Sequence, residues 1–195
     1  MARVIEEPAM AISQGDREVL LDLARASVAS AVGAGPAAKA PRAEGVLGER
    51  RGCFVTLTRG GDLRGCIGTF HPNRPLGEEV IAMAASAARD PRFTHDPITA
   101  DEVDELTVQV SVLSELAPID DPLKIELGVH GIYVVSAASA GCFLPEVATE
   151  AGWTKEQFLS HCCSGKGGMS PDAWRDGSAK VYTFTSEKFG DPAGD

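Results

Sequence analysis

The sequence contains no apolar run approaching the ~18 residues that a membrane-spanning helix needs. Its first 30 residues include Arg3, Glu6, Glu7, Asp16 and Arg17 and lack the apolar stretch of a signal peptide. The expectation is a cytoplasmic protein, neither exported nor embedded in a membrane. Basic residues are also short: 18 Lys and Arg stand against 28 Asp and Glu, for a net charge of -10. Nucleic-acid binding needs clustered cations to neutralise phosphates, so no nucleic-acid partner is expected. The five cysteines contain no CxxC pair, and five is odd, so they do not read as a disulfide framework. HExxH and other metal-ligand spacings are missing, as are GxGxxG and GxxxxGK[ST]. The loop Ser164-Gly165-Lys166-Gly167-Gly168 does not meet the phosphate-loop pattern. No metal and no cofactor are expected.

What is present is enough for a core. Hydrophobic residues make up 44% of the chain, and a chain of this length buries roughly 70% of its unfolded surface. Ser13 can cap a helix starting near Asp16, in which Leu20, Ala24, Val28 and Ala31 recur at helical spacing. Residues 33 to 45 read as an Ala/Gly/Pro loop. Cys53–Thr58 alternates as a strand, Gly60-Gly61 makes a hairpin turn, and Leu63–Phe70 returns. Leu76 to Ala87 is a second helix that ends before Pro91. Val108, Val110 and Val112 alternate with Thr107, Gln109 and Ser111, which predicts a half-buried antiparallel strand. Gly131–Ser136 and Val181–Thr185 are further strands, and Thr154 with Gln157 forms a capping box. The segments Gly141–Glu146 and Ser164–Gly168 read as loops. Amphipathic strands with interspersed helices predict an α+β fold.

The densest chemical signal is Leu63-Arg64-Gly65-Cys66-Ile67-Gly68-Thr69-Phe70. Glycines on either side leave the Cys66 sulfur little crowded, and Gly65 and Gly68 mark a bulge or a close approach to the backbone. Arg64, two residues away on a strand, falls on the same side as the thiol. Cys66 is thus a candidate nucleophile or modification site, set against the simpler reading of a buried cysteine. A nucleophile wants a base. Of His71, His95, His130 and His161, His71 lies just past the motif and His130, at a strand start, is the candidate taken forward, while the spacing does not select which of the four meets Cys66. Arg89-Asp90-Pro91-Arg92-Phe93 puts two guanidinium groups around one carboxylate. It reads either as an anion clamp through Arg92 or as a structural turn in which Asp90 pairs with an arginine or caps amides.

The segment LRGCIGTF resembles the signature of the AMMECR domain family, in its AmmeMemoRadiSam system protein A type. The likeness continues in order. Ala88–Phe93 resembles a DPRF segment, and Val110–Leu116 with Pro118-Ile119 resembles a strand ending. Gly128–Ile132 resembles GxHG(I/L), and Leu144–Ala148 followed by Gly152-Trp153 resembles LPQVA. Trp174 and Val181–Phe184 match the family's tail, so the likeness covers about residues 15–190. Ala140 and Glu146 depart from the usual Arg and Gln, and the segment Cys163–Met169 is looser than usual.

The resemblance implies a two-lobed α+β domain over residues 13–190, with residues 1–12 and 191–195 as flexible termini. It has an antiparallel sheet with flanking helices, a smaller inserted lobe and a cleft near the cysteine motif. It also implies a link to Memo-type and radical SAM pathway proteins, but no settled activity. Two functions are set side by side. One is a binding or adaptor module for a partner protein or a small anionic ligand. The other is a cysteine-dependent group-transfer enzyme with Cys66 as nucleophile and His130 as base or acid. The ligand-binding positions are Arg64, Gly65, Gly68, Asp90, Arg92 and Glu146.

Overall fold

The computed structural model describes residues 11–191. Of the termini expected to be flexible, 1–12 and 191–195, residues 1–10 and 192–195 lie outside the described residues. The chain divides into two units: residues up to Val112 together with those from Glu187 on, and Leu113–Ser186.

The first unit contains helices α1 (Gln14–Ala31) and α2 (Leu76–Ala87) and strands β1 (Cys53–Arg59), β2 (Asp62–Thr69) and β3 (Thr107–Leu113). The expected cap is in place: the Ser13 hydroxyl accepts the Asp16 amide at the start of α1. β1 and β2 form the hairpin, and Gly60 and Gly61 at its tip both have positive φ, 56° and 87°. The alternating valines of β3 face a core shared with Cys53, Val55 and Leu57 of β1 and with Leu20, Ala24, Val28, Val80 and Ala84 of the helices. Ser111 is buried as well, so β3 is covered more fully than its alternation predicts. The hairpin register breaks between Leu57 and Thr58. Thr58 pairs with Leu63 and Leu57 with Gly65, which leaves Arg64 as the extra, bulged residue.

The second unit holds β4 (Ala117–Pro118), β5 (Gly131–Val135), β6 (Ala140–Phe143), α3 (Glu146–Ala151), α4 (Lys155–His161) and β7 (Lys180–Phe184). The capping box of Thr154 and Gln157 opens α4. Its core joins Ile132, Val134 and Val181 to Phe158, Leu159 and Cys162. Two expected loops are ordered elements instead. Gly141–Phe143 belongs to β6, paired with β5, and Ser164–Lys166 lies inside a π-helical turn over Cys162–Lys166. The two segments meet, with the Lys166 ammonium 5.9 Å from the Phe143 ring centroid.

The chain does not end its pairing at the expected last strand. A further strand, β8 (Ser186–Gly190), follows β7 and completes the first sheet in the order β2-β1-β3-β8; the second sheet runs β4-β7-β5-β6. The ends of the described chain are tied to this strand and its neighbours. Ile12, expected in a loose leader, is 3% exposed within the first core and its amide donates to Glu187. Asp191 accepts the Val108 amide at 3.0 Å.

Candidate functional site

β2 is an edge strand of the first sheet, so its outward backbone groups need partners from elsewhere. At Cys66 those partners are two side chains of one short turn. The Cys66 amide donates to Asp90 Oδ2 at 3.0 Å, and the Cys66 carbonyl accepts Arg92 Nη2 at 3.1 Å. Asp90 caps a 3-10 turn over Pro91–Phe93, accepting the Arg92 amide at 3.0 Å. Its carboxylate also accepts Arg92 Nε at 3.0 Å and Nη2 at 2.5 Å. The Asp90–Arg92 pair thus presents an acceptor and a donor to Cys66 as a neighbouring strand would.

Asp90 is 4% exposed. Burial alone would raise its pKa, but the Arg92 hydrogen bonds, helped by the Cys66 and Arg92 amides, lower it from 3.8 to about 2. The same hydrogen bond with Asp90 raises the Arg92 pKa. Of the two readings of this segment, the turn with a paired, amide-capping Asp90 describes its geometry. Arg92 is half-exposed, with Nε and Nη2 engaged.

The glycines of the motif answer to the chain itself. A Cβ on Gly65 would lie 2.1 Å from the Ala87 carbonyl oxygen at the end of α2. One on Gly68 would lie 2.3 Å from the Phe54 ring and 2.5 Å from the Cys53 carbonyl oxygen. Gly65 therefore lets α2 close on the strand that carries Cys66 and brings Asp90 within reach of it.

Arg64 does not serve the thiol. The bulge interrupts the alternation that would have placed Arg64 and Cys66 side by side. Its guanidinium, buried to 8% exposure, reaches Asp96 Oδ2 at 2.5 Å and Glu102 Oε1 at 3.2 Å. Glu102 also pairs with Arg59 at 2.8 Å, and the Thr99 amide donating to it lowers its pKa. Reasoning from the sequence overlooked Asp96 and Glu102. Thr99-Ala100-Asp101-Glu102 does carry the capping-box pattern, which marks Glu102 as an ordered side chain; nothing local marks Asp96.

The Cys66 side chain is half-buried, and its sulfur lies 3.2 Å from Thr56 Oγ1, an overlooked partner. Register places Cys66 opposite Thr56 and Leu63 opposite Thr58, on the face of the sheet turned away from α1 and α2. Leu63 is 40% exposed there. Cys142 is half-buried as well, whereas Cys53, Cys162 and Cys163 are set apart by burial. It pushes the Cys53 thiol up to about 12, helped by the Glu79 charge, and it raises Cys162 and Cys163 too. His130 belongs to the second unit, where its Nδ1 accepts the Glu126 amide at 3.0 Å, so the proton of the neutral ring sits on Nε2. Glu146, the first residue of α3, is also in the second unit. The structure therefore joins Cys66, Gly65, Asp90 and Arg92 in one cluster and engages Arg64 elsewhere in the first unit. Among the described residues no group of three or more His, Cys, Asp or Glu could hold a metal ion, and no helix is long and apolar enough to cross a membrane.

A family model described as AMMECR1 matches residues 21–189. The chain belongs to the AMMECR1 family. Archaeal proteins are among its relatives. A protein of Thermococcus gammatolerans is 42% identical over 184 residues, covering 88% of each chain. One of Methanothermobacter thermautotrophicus is 43% identical over 151 residues, covering 74% of this chain and 77% of that one. The crystal structure of the uncharacterized protein PH0010 from Pyrococcus horikoshii superposes with a TM-score of 0.84 at 37% identity, covering 94% of this chain and 95% of that one. The α+β architecture is thus that of an AMMECR1-family protein.

Proposed function

We propose that this AMMECR1-family chain is a binding or adaptor module whose recognition surface is the β1–β2 face bearing Leu63, Thr58, Thr56 and Cys66. One observation carries the reading. The backbone of Cys66 is locked by Asp90 and Arg92 while its side chain stays half-buried beside an exposed leucine. A rigid surface loses little conformational freedom on binding. A nucleophile needs a base within hydrogen-bond reach, and the group bonded to Cys66 Sγ is a threonine hydroxyl, which is not a base at neutral pH. The fork of Arg92 is turned onto Asp90, so it suits a single contact to a partner better than a two-pronged clamp on a small anion.

The partners of choice are the Memo-type and radical SAM proteins that the family resemblance suggests. The test is to titrate each, purified, against the wild-type chain, Leu63→Glu and Cys66→Ser by biolayer interferometry. We expect at least one to bind, Cys66→Ser to bind as the wild type does, and Leu63→Glu to weaken binding about tenfold or more. Absence of binding by both proteins would refute the partner assignment. A covalent mass increase on Cys66 during incubation with a partner, abolished in Cys66→Ser, would replace the adaptor reading with group transfer.

A further inference from the structure

The second unit contains an open depression of about 680 Å³, within the size range of small-ligand sites. Three segments line it. They are the stretch Pro118–Leu123 that leaves β4, the loop Trp174–Gly177, and Ala179 with the start of β7 as far as Tyr182. Backbone bonds fix where they part. Pro118 still pairs with Tyr182, and the Ile119 amide donates to the Val181 carbonyl. Asp121 then caps a 3-10 turn over Pro122–Lys124, which carries the chain away from β7. On the other segment the Ala179 amide donates to the Ala173 carbonyl and closes the loop between them. The hollow is therefore built by sheet divergence, and its apolar lining comes from Pro118, Ile119, Leu123, Val181 and the rings of Trp174 and Tyr182.

The charges around this lining are unevenly satisfied. Asp121 has its amide to cap, and Arg175 stacks on Trp174 at 4.5 Å with Asp172 at 3.6 Å. The carboxylate of Asp120 and the ammonium of Lys180 make no ion pair or side-chain hydrogen bond among the described residues. One uncommitted acid and one uncommitted base thus border a single apolar hollow. A plain anion would approach against the net charge of -10, and a plain cation would be attracted everywhere on such a surface. A molecule carrying both charges on an apolar body escapes both objections.

We propose that this hollow binds a small zwitterion with an apolar side chain, a free α-amino acid or a short linear peptide. Asp120 meets its ammonium, and Lys180 meets its carboxylate. The site lies within the second unit, and Cys66 belongs to the first.

The test uses the full chain, 15N-labelled, titrated with leucyl-leucine, its N-acetyl form, its C-terminal amide, and free leucine. The probe signal is the indole N–H of Trp174, which donates to Ser160 Oγ at 3.0 Å. The chain has two tryptophans, so Trp153→Phe assigns it. Leucyl-leucine should shift this signal saturably, and each blocked form should bind about fivefold more weakly. Asp120 and Lys180 are exposed, so Asp120→Asn and Lys180→Gln should fold. Asp120→Asn should lose the discrimination against the N-acetyl form, and Lys180→Gln that against the amide. Saturation by free leucine as well would name an amino acid, and saturation by the dipeptide alone a peptide. No shift up to about 10 mM, or blocked forms that bind as well as the parent, would overturn the proposal.

Discussion

Replacing Asp90 by Asn tests the link between the short turn and the edge strand. The buried carboxylate accepts the amides of Cys66 and Arg92 and two guanidinium nitrogens of Arg92. Asn keeps the shape but offers one neutral oxygen and turns an NH2 group toward other donors. The size of the effect follows from the lowered pKa. A carboxyl that titrates at about 2 when folded and 3.8 otherwise adds roughly 2 kcal/mol at neutral pH. Its folded pKa is depressed, so that stabilisation is present above 3.8 and is lost as pH falls toward about 2. Roughly half should remain at pH 3. The assay is urea unfolding followed by far-UV circular dichroism, because both tryptophans belong to the second unit and would not report on the first. Asp90→Asn should be less stable than wild type by about 2 kcal/mol at pH 7, a fall in Tm of roughly 4–8 °C. The gap should narrow as the pH drops to 3. A gap that did not change with pH, or no gap at all, would refute the role given to the carboxylate.

Two further outcomes follow from the same geometry. Gly65→Ala drives a Cβ into the Ala87 carbonyl, a backbone group that cannot step aside, and should cost about 3 kcal/mol or more. Gly60→Ala, at φ 56° in open space, should cost only about 1 kcal/mol; equal losses in the same unfolding assay would contradict the packing described. Iodoacetamide on the native protein should modify the half-buried Cys66 and Cys142 first. Buried Cys53, Cys162 and Cys163 should react only after unfolding, as peptide mass spectrometry will reveal, and rapid native labelling of Cys53 would contradict its burial.

Local patterns carried the elements they could specify alone. Ser13, Thr154 with Gln157, Gly60-Gly61 and the valines of β3 are read from residues that act within one turn or one strand, and each is found where expected. β8 was overlooked because its pairing partner β3 lies far back in the chain, whereas β6, which pairs with the adjacent β5, was overlooked for its shortness. Ala140–Phe143 is only four residues long, and Ser186–Gly190 holds a single apolar side chain, Phe189, so neither shows an alternation.

The site divides along the same line. The sequence by itself determined the family, the α+β class and the importance of the segment from Leu63 to Phe70, because the motif and its glycines are contiguous. It also determined that Asp90 lies beside an arginine able to pair with it. Only the tertiary structure decided what each group faces. A single bulged residue broke the side-chain alternation and gave Arg64 to Asp96 and Glu102 instead of the thiol. The return of the chain after α2 brought Asp90 and Arg92 against the outer edge of β2, 24 and 26 residues from Cys66. Hydrogen bonds between such distant residues depend on where the folded backbone puts them, and no spacing in the sequence encodes that placement.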